Sequence, residues 1–208
     1  MRTYLSIDLD YFHCAGFTPI DEDLVNKRFD VFIDWIVSLN MKPKFVESHE
    51  QLLDHINETS PDKILHIDTH SDIAFTDPRG NSPKLNDGTF MFFVEGKRNI
   101  EYEWRLPDRV HCIRNKAGIC DCEGWPTVKM RKQDSGWKKL SYKAGLSGIK
   151  NHEIASIGFA FSPEWTHFNK FEESSLSKLV SMMDESEIEI FNKVFDKQDI
   201  RANWRKNV

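Results

Sequence analysis

Hydrophobic residues recur along the chain with two different periods, which predict strands and helices in turn. In "TYLSIDL", residues 3–9, every second side chain is apolar, as in a half-buried β-strand. In residues 22–40 the apolar side chains recur every three or four positions, and Asn40 and Pro43 mark the end of a long amphipathic helix. The helically spaced positions are Leu24, Val25, Phe29, Phe32, Ile33 and Ile36.

Shorter segments continue this alternation of strands and helices. Further strands are predicted for "PKFVES", "DKILHID" and "EIASIGFAF", and further helices for "HEQLLDHINET", 171–183 and 185–195. The order βαβαβ favours a mainly parallel sheet with helices on its faces, so we predict an α/β fold with three αβα layers. Residues 74–152 are rich in turn residues and are interpreted as loop and short-strand insertions.

The length and composition fit one globular domain. The chain has 208 residues, of which 39% are hydrophobic and 29% are charged, and a chain of this length can bury one sizeable core. No repeat, low-complexity tract or linker divides the sequence, so residues 1–208 are interpreted as a single domain. The net charge of −5 argues against a nucleic-acid partner.

The sequence shows no sign of secretion or membrane insertion. The segment "MRTYLSIDLDYF" has an acidic residue by position 8 and no apolar core, and later apolar stretches are interrupted by charge. We therefore expect a cytoplasmic protein with reduced thiols, because Cys120 and Cys122 are too close for an easy mutual disulfide. Together with His111 and Cys112 they match no strong zinc spacing, so this segment is interpreted as a loop.

Polar side chains follow the apolar run of several predicted strands, and together they form a candidate metal site. The carboxyl ends of parallel strands meet at one edge of a sheet, where ligands bind. Four carboxylates and two imidazoles placed there would be costly to bury unless cations neutralise them. Two divalent ions would balance the four carboxylates and leave the histidines as neutral ligands. The predicted ligands are Asp8, Asp10, His49, Asp68, His70 and Asp72.

These motifs resemble those of the binuclear manganese ureohydrolases, the arginase and agmatinase group. The shared features are Asp-x-Asp on a strand, Asp-x-His-x-Asp, and a His at the start of a helix; here they are "SIDLD" at 6–10, "DTHSD" at 68–72 and "VESHEQLL" at 46–53. The chain is most similar to the peptide arginases, small relatives that convert arginine within a peptide to ornithine. The resemblance implies an arginase/deacetylase-like fold. Asp-x-Asp precedes Asp-x-His-x-Asp here and follows it in ordinary arginases, so the motif order is rearranged.

The resemblance implies two Mn²⁺ ions and hydrolysis of a guanidino group. The substrate would be an arginine-containing peptide or a small guanidino compound, and hydroxide shared between the ions would release urea. The six ligands would divide into two that bridge the ions and two more for each ion: Asp8 and Asp68 bridging, His49 and Asp72 on one ion, His70 and Asp10 on the other.

Candidates for substrate binding and proton transfer lie in loops. Glu164 follows the last predicted strand, where the family has a carboxylate that can accept two hydrogen bonds from a guanidinium group. The proton-shuttle His of arginases has no counterpart, because the sequence has no His between His70 and His111. A proton must still reach the departing amine. The catalytic candidates are therefore Glu164, Asp72, His13 and His167.

Two other functional classes remain open. An Asp8-x-Asp10 pair after an N-terminal strand also fits haloacid-dehalogenase-like phosphatases, and Asp-x-His occurs in metallophosphoesterases. The third class is a non-catalytic metal-containing binding module. His55 and His66 are interpreted as structural. His66 shares the strand face of Asp68, however, where it would contact a metal ligand and orient it.

Overall fold

Six parallel strands form one sheet in the computed structural model, which describes residues 1–13, 21–73, 84–86, 88–107, 136–163 and 166–205, the last nine as backbone only. The strands are β1 (Thr3–Asp8), β2 (Lys44–Val46), β3 (Lys63–Ile67), β4 (Glu101–Leu106), β5 (Lys139–Ala144) and β6 (Ile154–Ala160). Their order across the sheet is β2-β6-β1-β3-β4-β5. The predicted α/β class and parallel sheet are confirmed.

In the described part of the chain, four α-helices accompany the sheet: α1 (Glu22–Ser38), α2 (Leu53–Thr59), α3 (Glu173–Val180) and α4 (Glu185–Arg205). Asp21 precedes α1 and caps it, because its side chain accepts a hydrogen bond from the Leu24 amide at 2.9 Å. The predicted long helix is confirmed, but Leu24, one of its helically spaced apolar positions, is 37% exposed. Within the described ranges, no helix is long and apolar enough to cross a membrane.

The two faces of the sheet are covered by separate hydrophobic cores. The alternation in β1 decides which residue enters which core, because successive side chains of a strand point to opposite faces. Leu5 and Ile7 pack in the larger core, with buried residues of α1, α3 and α4. Tyr4 packs in the smaller core, with buried residues of α2 and of the 3₁₀ turn Phe90–Phe93. Helices therefore lie on both faces, as a three-layer architecture requires.

The segment 74–152 contributes to the sheet itself. β4 pairs in parallel with β3, and β5 pairs in parallel with β4, so these strands extend the sheet at one edge. Arg105 ties the two strands to the turn that follows β5, since its Nη1 donates to the carbonyls of Gly145 at 3.1 Å and Ser147 at 2.8 Å. The predicted cysteine loop falls in residues 108–135, outside the described residues.

Candidate metal centre

The fold gathers the predicted ligands because β1 and β3 are neighbours. Ser6 lies opposite His66 in the parallel register, so the carboxyl ends of both strands finish together, at Asp8 on β1 and just past β3 at Asp68. His49 is the first residue of the 3₁₀ turn His49–Leu52, which follows β2 and leads into α2. The chain thus brings three separate segments to one edge of the sheet.

Four buried side chains converge in what we call the inner cluster: His49, His66, Asp68 and Asp72. Nδ1 of His49 lies 3.1 Å from Oδ2 of Asp68 and 3.2 Å from Oδ2 of Asp72. Nε2 of His66 lies 3.2 and 3.3 Å from the same two oxygens. None of the four residues is more than 4% exposed.

The spacing of these atoms is that of ligands around a metal ion. Nδ1 of His49, Nε2 of His66 and Oδ2 of Asp72 are close together and buried, yet none of them makes a hydrogen bond to the described residues. Buried polar atoms without such a bond normally cost stability. With metal–ligand bonds of about 2.1 Å, neighbouring ligand atoms lie about 3.0 Å apart in an octahedron and about 3.4 Å apart in a tetrahedron. The inner cluster could therefore hold a metal ion.

A second group, the outer cluster, consists of Asp10, Asp68 and His70. Nδ1 of His70 lies 3.2 Å from Oδ2 of Asp10 and 3.6 Å from Oδ1 of Asp68. Asp68 therefore belongs to both clusters and directs one carboxylate oxygen to each. The side chain of His70 is 37% exposed, whereas Asp10 is fully buried, so the outer cluster lies nearer to solvent.

Asp8 borders the inner cluster and is held by several partners. Its Oδ2 lies 3.2 Å from Nδ1 of His49 and accepts a hydrogen bond from the Ser162 hydroxyl at 2.5 Å. Its Oδ1 accepts from the Asp10 amide at 3.0 Å. All six residues predicted as ligands thus lie in or beside the two clusters.

The inner cluster contains one residue that is not among the predicted ligands, His66, for which the sequence predicts a structural role. Its Nε2 lies near the same carboxylate oxygens as Nδ1 of His49. The opposite nitrogens of the two rings share one partner: the Ser6 hydroxyl lies 2.9 Å from Nε2 of His49 and 3.3 Å from Nδ1 of His66. The strand pattern already indicates that His66 lies near the cluster, because His66 and Asp68 share a face.

Side chains of β4 hold the segment after β3 in place by hydrogen bonds to its backbone carbonyls. The indole N–H of Trp104 donates to the carbonyl of Asp68 at 2.9 Å, and the Tyr102 hydroxyl donates to the carbonyl of Ser71 at 2.7 Å. Asp72 has a φ of 48°, in the left-handed region that a non-glycine residue seldom adopts. Such backbone strain concentrates at functional sites, where the surroundings maintain it.

Burial and mutual repulsion strongly affect the carboxylates. Burial raises the pKa of Asp10 well above its ordinary value, and the neighbouring carboxylates raise it further. Burial, followed by the charge of Asp68, also raises the pKa of Asp8. Burial acts in the same direction on Asp68, but contacts with three imidazoles hold its pKa well below the usual range. The cluster therefore needs positive charge to keep its carboxylates ionised.

The imidazoles supply that positive charge when no ion is bound. Burial alone would lower the pKa of His70, but contacts with Asp10 and Asp68 raise it to about 12. Contacts with the inner carboxylates likewise outweigh burial and raise the pKa of His49 and of His66. Because a metal ligand must be a neutral imidazole, ion binding would displace these protons.

The proton-transfer candidates lie in neighbouring loops. Nε2 of His13 lies 3.0 Å from Oδ1 of Asn26, and its ring packs edge-on against Phe171. The amide of His167 donates to the carbonyl of His13 at 2.8 Å, so the two loops are joined. These contacts connect His13 to Asn26 of α1, to Phe171 and to the backbone of His167. Glu164, which follows Ser162 and Pro163 in the sequence, lies outside the described residues.

Aromatic rings cover the inner cluster. Phe90, in the turn Phe90–Phe93, has its ring centroid 4.8 Å from that of His49 and 6.2 Å from that of His66. The ring of Tyr102 lies 5.8 Å from His66 on another side. An apolar cover of this kind excludes water and strengthens the electrostatic interactions beneath it.

Comparison with known proteins does not assign the chain to a family. Protein-family models, curated proteins and solved structures were all compared with the chain, and none of them matches it.

Proposed function

We propose that the protein is a binuclear metal hydrolase of the arginase-like kind, which cleaves a guanidino group to release urea. The carrying observation is the position of Asp68, whose two carboxylate oxygens face two different groups of ligands. A carboxylate shared in this way is what a pair of closely spaced ions requires. Two bound divalent ions would activate water for hydrolysis and stabilise the charge that develops during attack.

The donor set fits two such ions. Four carboxylates, those of Asp8, Asp10, Asp68 and Asp72, balance a total charge of +4, and the imidazoles bind as neutral ligands. Carboxylate-rich coordination with some imidazole suits Mn²⁺. The Ser6 hydroxyl has two acceptor lone pairs, so it can accept an N–H from both His49 and His66. That arrangement leaves the nitrogens that face the carboxylates free to bind the ion.

The substrate proposal rests on Glu164. The Glu164 carboxylate, four positions beyond the end of β6, would hold a planar guanidinium group through two parallel hydrogen bonds. Arginine within a peptide is favoured over free arginine, because no motif for an α-carboxylate is evident in the given sequence. The products would be peptidyl ornithine and urea, and Asp72 would serve as ligand to one ion.

The environment of Asp8 counts against the phosphatase alternative. A carboxylate nucleophile must be able to reach a phosphorus atom. Asp8 is 4% exposed, and both of its oxygens accept hydrogen bonds, from the Asp10 amide and the Ser162 hydroxyl. This environment suits a fixed ligand better than an attacking group.

Metal stoichiometry, followed by urea release, tests the proposal. Wild-type protein reconstituted with Mn²⁺ should hold two ions per chain and melt at a higher temperature than the apo form, because binding to the native state stabilises it. Asp68→Ala should lose both ions, whereas Asp54→Ala, an exposed position on α2, should lose neither.

The reconstituted protein is then assayed for urea with blocked peptides that contain one arginine. Release of urea by wild type and Asp54→Ala, but not by Asp68→Ala, would support the proposal. Phosphate release from phosphomonoesters without urea would replace it with the phosphatase. Two bound ions with neither product, across arginine peptides, free arginine and agmatine, would favour the binding module.

A further inference from the structure

The two halves of the centre differ in their donor atoms. The inner cluster offers two imidazoles and two carboxylates, and the outer cluster offers one imidazole and two carboxylates. Imidazole nitrogen favours ions such as Zn²⁺ and Fe²⁺, whereas oxygen-rich sites favour Mn²⁺ and Mg²⁺. His66 creates this difference, because without it each half would have one imidazole.

The two halves also differ in their access to solvent. The inner ligands are at most 4% exposed and lie beneath Phe90, whereas the side chain of His70 in the outer cluster is 37% exposed. Asp68 lies between the two groups, since one of its oxygens faces each. An ion in the inner cluster would therefore be shielded, while an ion in the outer cluster could exchange with solvent.

The two inner imidazoles also share a supporting hydroxyl group. Ser6 contacts both inner imidazoles, and the backbone around Asp68 and Asp72 is held by Trp104 and Tyr102. Partners of this kind fix ring orientation and raise metal affinity. Ser6 can hold both rings only because His66 lies directly opposite it on β3.

We infer that His66 is a metal ligand and that the centre is unequal, with an inner ion of the zinc class that is retained and an outer Mn²⁺ that exchanges. This inference rests on the two-ion centre of the proposed function. It keeps Mn²⁺ in the outer cluster, assigns an ion of the zinc class to the inner cluster in place of Mn²⁺, and adds the order of binding. The inner cluster fills first, and the outer ion completes the pair. Removal of the outer ion alone leaves the inner ion in place.

The test loads the apo protein with one equivalent each of Zn²⁺ and Mn²⁺ per chain. Zinc-edge X-ray absorption should then show two imidazoles on Zn²⁺, and electron paramagnetic resonance should show an isolated Mn²⁺ without coupling to a second Mn²⁺. Brief treatment with a chelator should remove the Mn²⁺ and leave the Zn²⁺. One imidazole on zinc, coupled manganese pairs, or loss of both ions together would overturn the inference.

A variant isolates the contribution of His66. His66→Gln should reduce the imidazole count on Zn²⁺ from two to one, whereas His152→Gln, at an 80% exposed side chain, should leave it at two. If His66→Gln fails to fold by circular dichroism, the wild-type imidazole count still decides the question. An unchanged count in folded His66→Gln would contradict the inference.

The inference and the proposed function fail in different ways. Mixed loading with two imidazoles on zinc, but no urea from any guanidino substrate, would support the unequal centre and remove the hydrolase. Urea release from a centre whose two ions are both Mn²⁺ and leave together would support the hydrolase and overturn the unequal centre.

Discussion

The hydroxyl of Ser6 lies 2.9 Å from Nε2 of His49, on the nitrogen that faces away from the carboxylates. The same hydroxyl contacts His66, so one small side chain sets the orientation of two rings. Ser6→Ala should therefore weaken metal binding by about 10- to 100-fold, the range typical of partners that orient a ligand. Calorimetric titration of the apo protein measures this change.

Ser174→Ala, at an exposed position on α3, provides the control and should bind metal as wild type does. Wild-type affinity in a folded Ser6→Ala protein would mean that packing alone orients the two imidazoles.

Glu164 should contribute to substrate binding and not to metal binding. In Glu164→Gln the loss of charge-assisted hydrogen bonds to the guanidinium group should lower kcat/KM for urea release about 100-fold, equivalent to about 3 kcal/mol. Metal content should stay at the wild-type value. Glu58→Gln, at an exposed position on α2, is the matched control. Equal kinetics for the two variants would exclude Glu164 from substrate binding.

The pairing of Glu103 with Lys63 and Arg105 should make stability depend on pH. Each partner nitrogen lies 2.6 Å from a Glu103 oxygen. Burial acts to raise the pKa of Glu103, but contacts with Lys63 and Arg105 outweigh it and lower the pKa. A lowered folded-state pKa adds stability above the unfolded value of about 4.3, and that stability disappears as the pH falls through the folded value.

Glu103→Gln should therefore cost about 2 kcal/mol at neutral pH, the typical worth of hydrogen bonds to a charged group. The cost should shrink as the pH falls below about 4, where the wild-type carboxylate becomes protonated. Denaturant melts of both proteins at several pH values measure the difference. A cost that does not change with pH would show that packing, and not charge, is lost.

Gly158 should be intolerant of a side chain because it lies beneath the His49 turn. A Cβ atom there would clash with the Tyr4 hydroxyl oxygen and come 2.8 Å from Cδ2 of Leu52. Gly158→Ala should lower the free energy of unfolding by about 1–3 kcal/mol, as overpacking generally does. It should also weaken metal binding, because Leu52 ends the turn that carries His49.

The double variant Gly158→Ala/Tyr4→Phe tests the cause, since it removes the nearest clashing atom. It should be less destabilised than the sum of the two single variants, as measured by denaturant unfolding. Strict additivity would place the strain elsewhere.

Local patterning predicted the elements of this fold well, because period and end signals are local properties. β1, α1 and β6 fall where alternation, helical spacing and a buried apolar run place them. The predicted ligands also lie together, since parallel strands direct their carboxyl ends to one edge. The position of β6 between β2 and β1 depends on long-range pairing, which no local pattern encodes.

The place of His66 in the inner cluster also depends on long-range pairing, so the sequence alone could not predict it. A histidine inside an apolar strand is ordinarily a core residue, and its parity with Asp68 shows only that the two share a face. It becomes a candidate ligand because β1 places Ser6 behind it and the turn after β2 brings His49 beside it. These relations come from strand order and register.

The place of β6 also determines when the centre can form as the chain is synthesised. β2 pairs with the sheet through β6, and β6 pairs with β1. His49 follows β2, so its position over Ser6 depends on a strand that leaves the ribosome more than a hundred residues later. Until β6 inserts, a nascent chain has neither the β2 edge nor the Ser162 hydroxyl that holds Asp8. Any ion that binds this centre could therefore be captured only after β6 and Ser162 have been made.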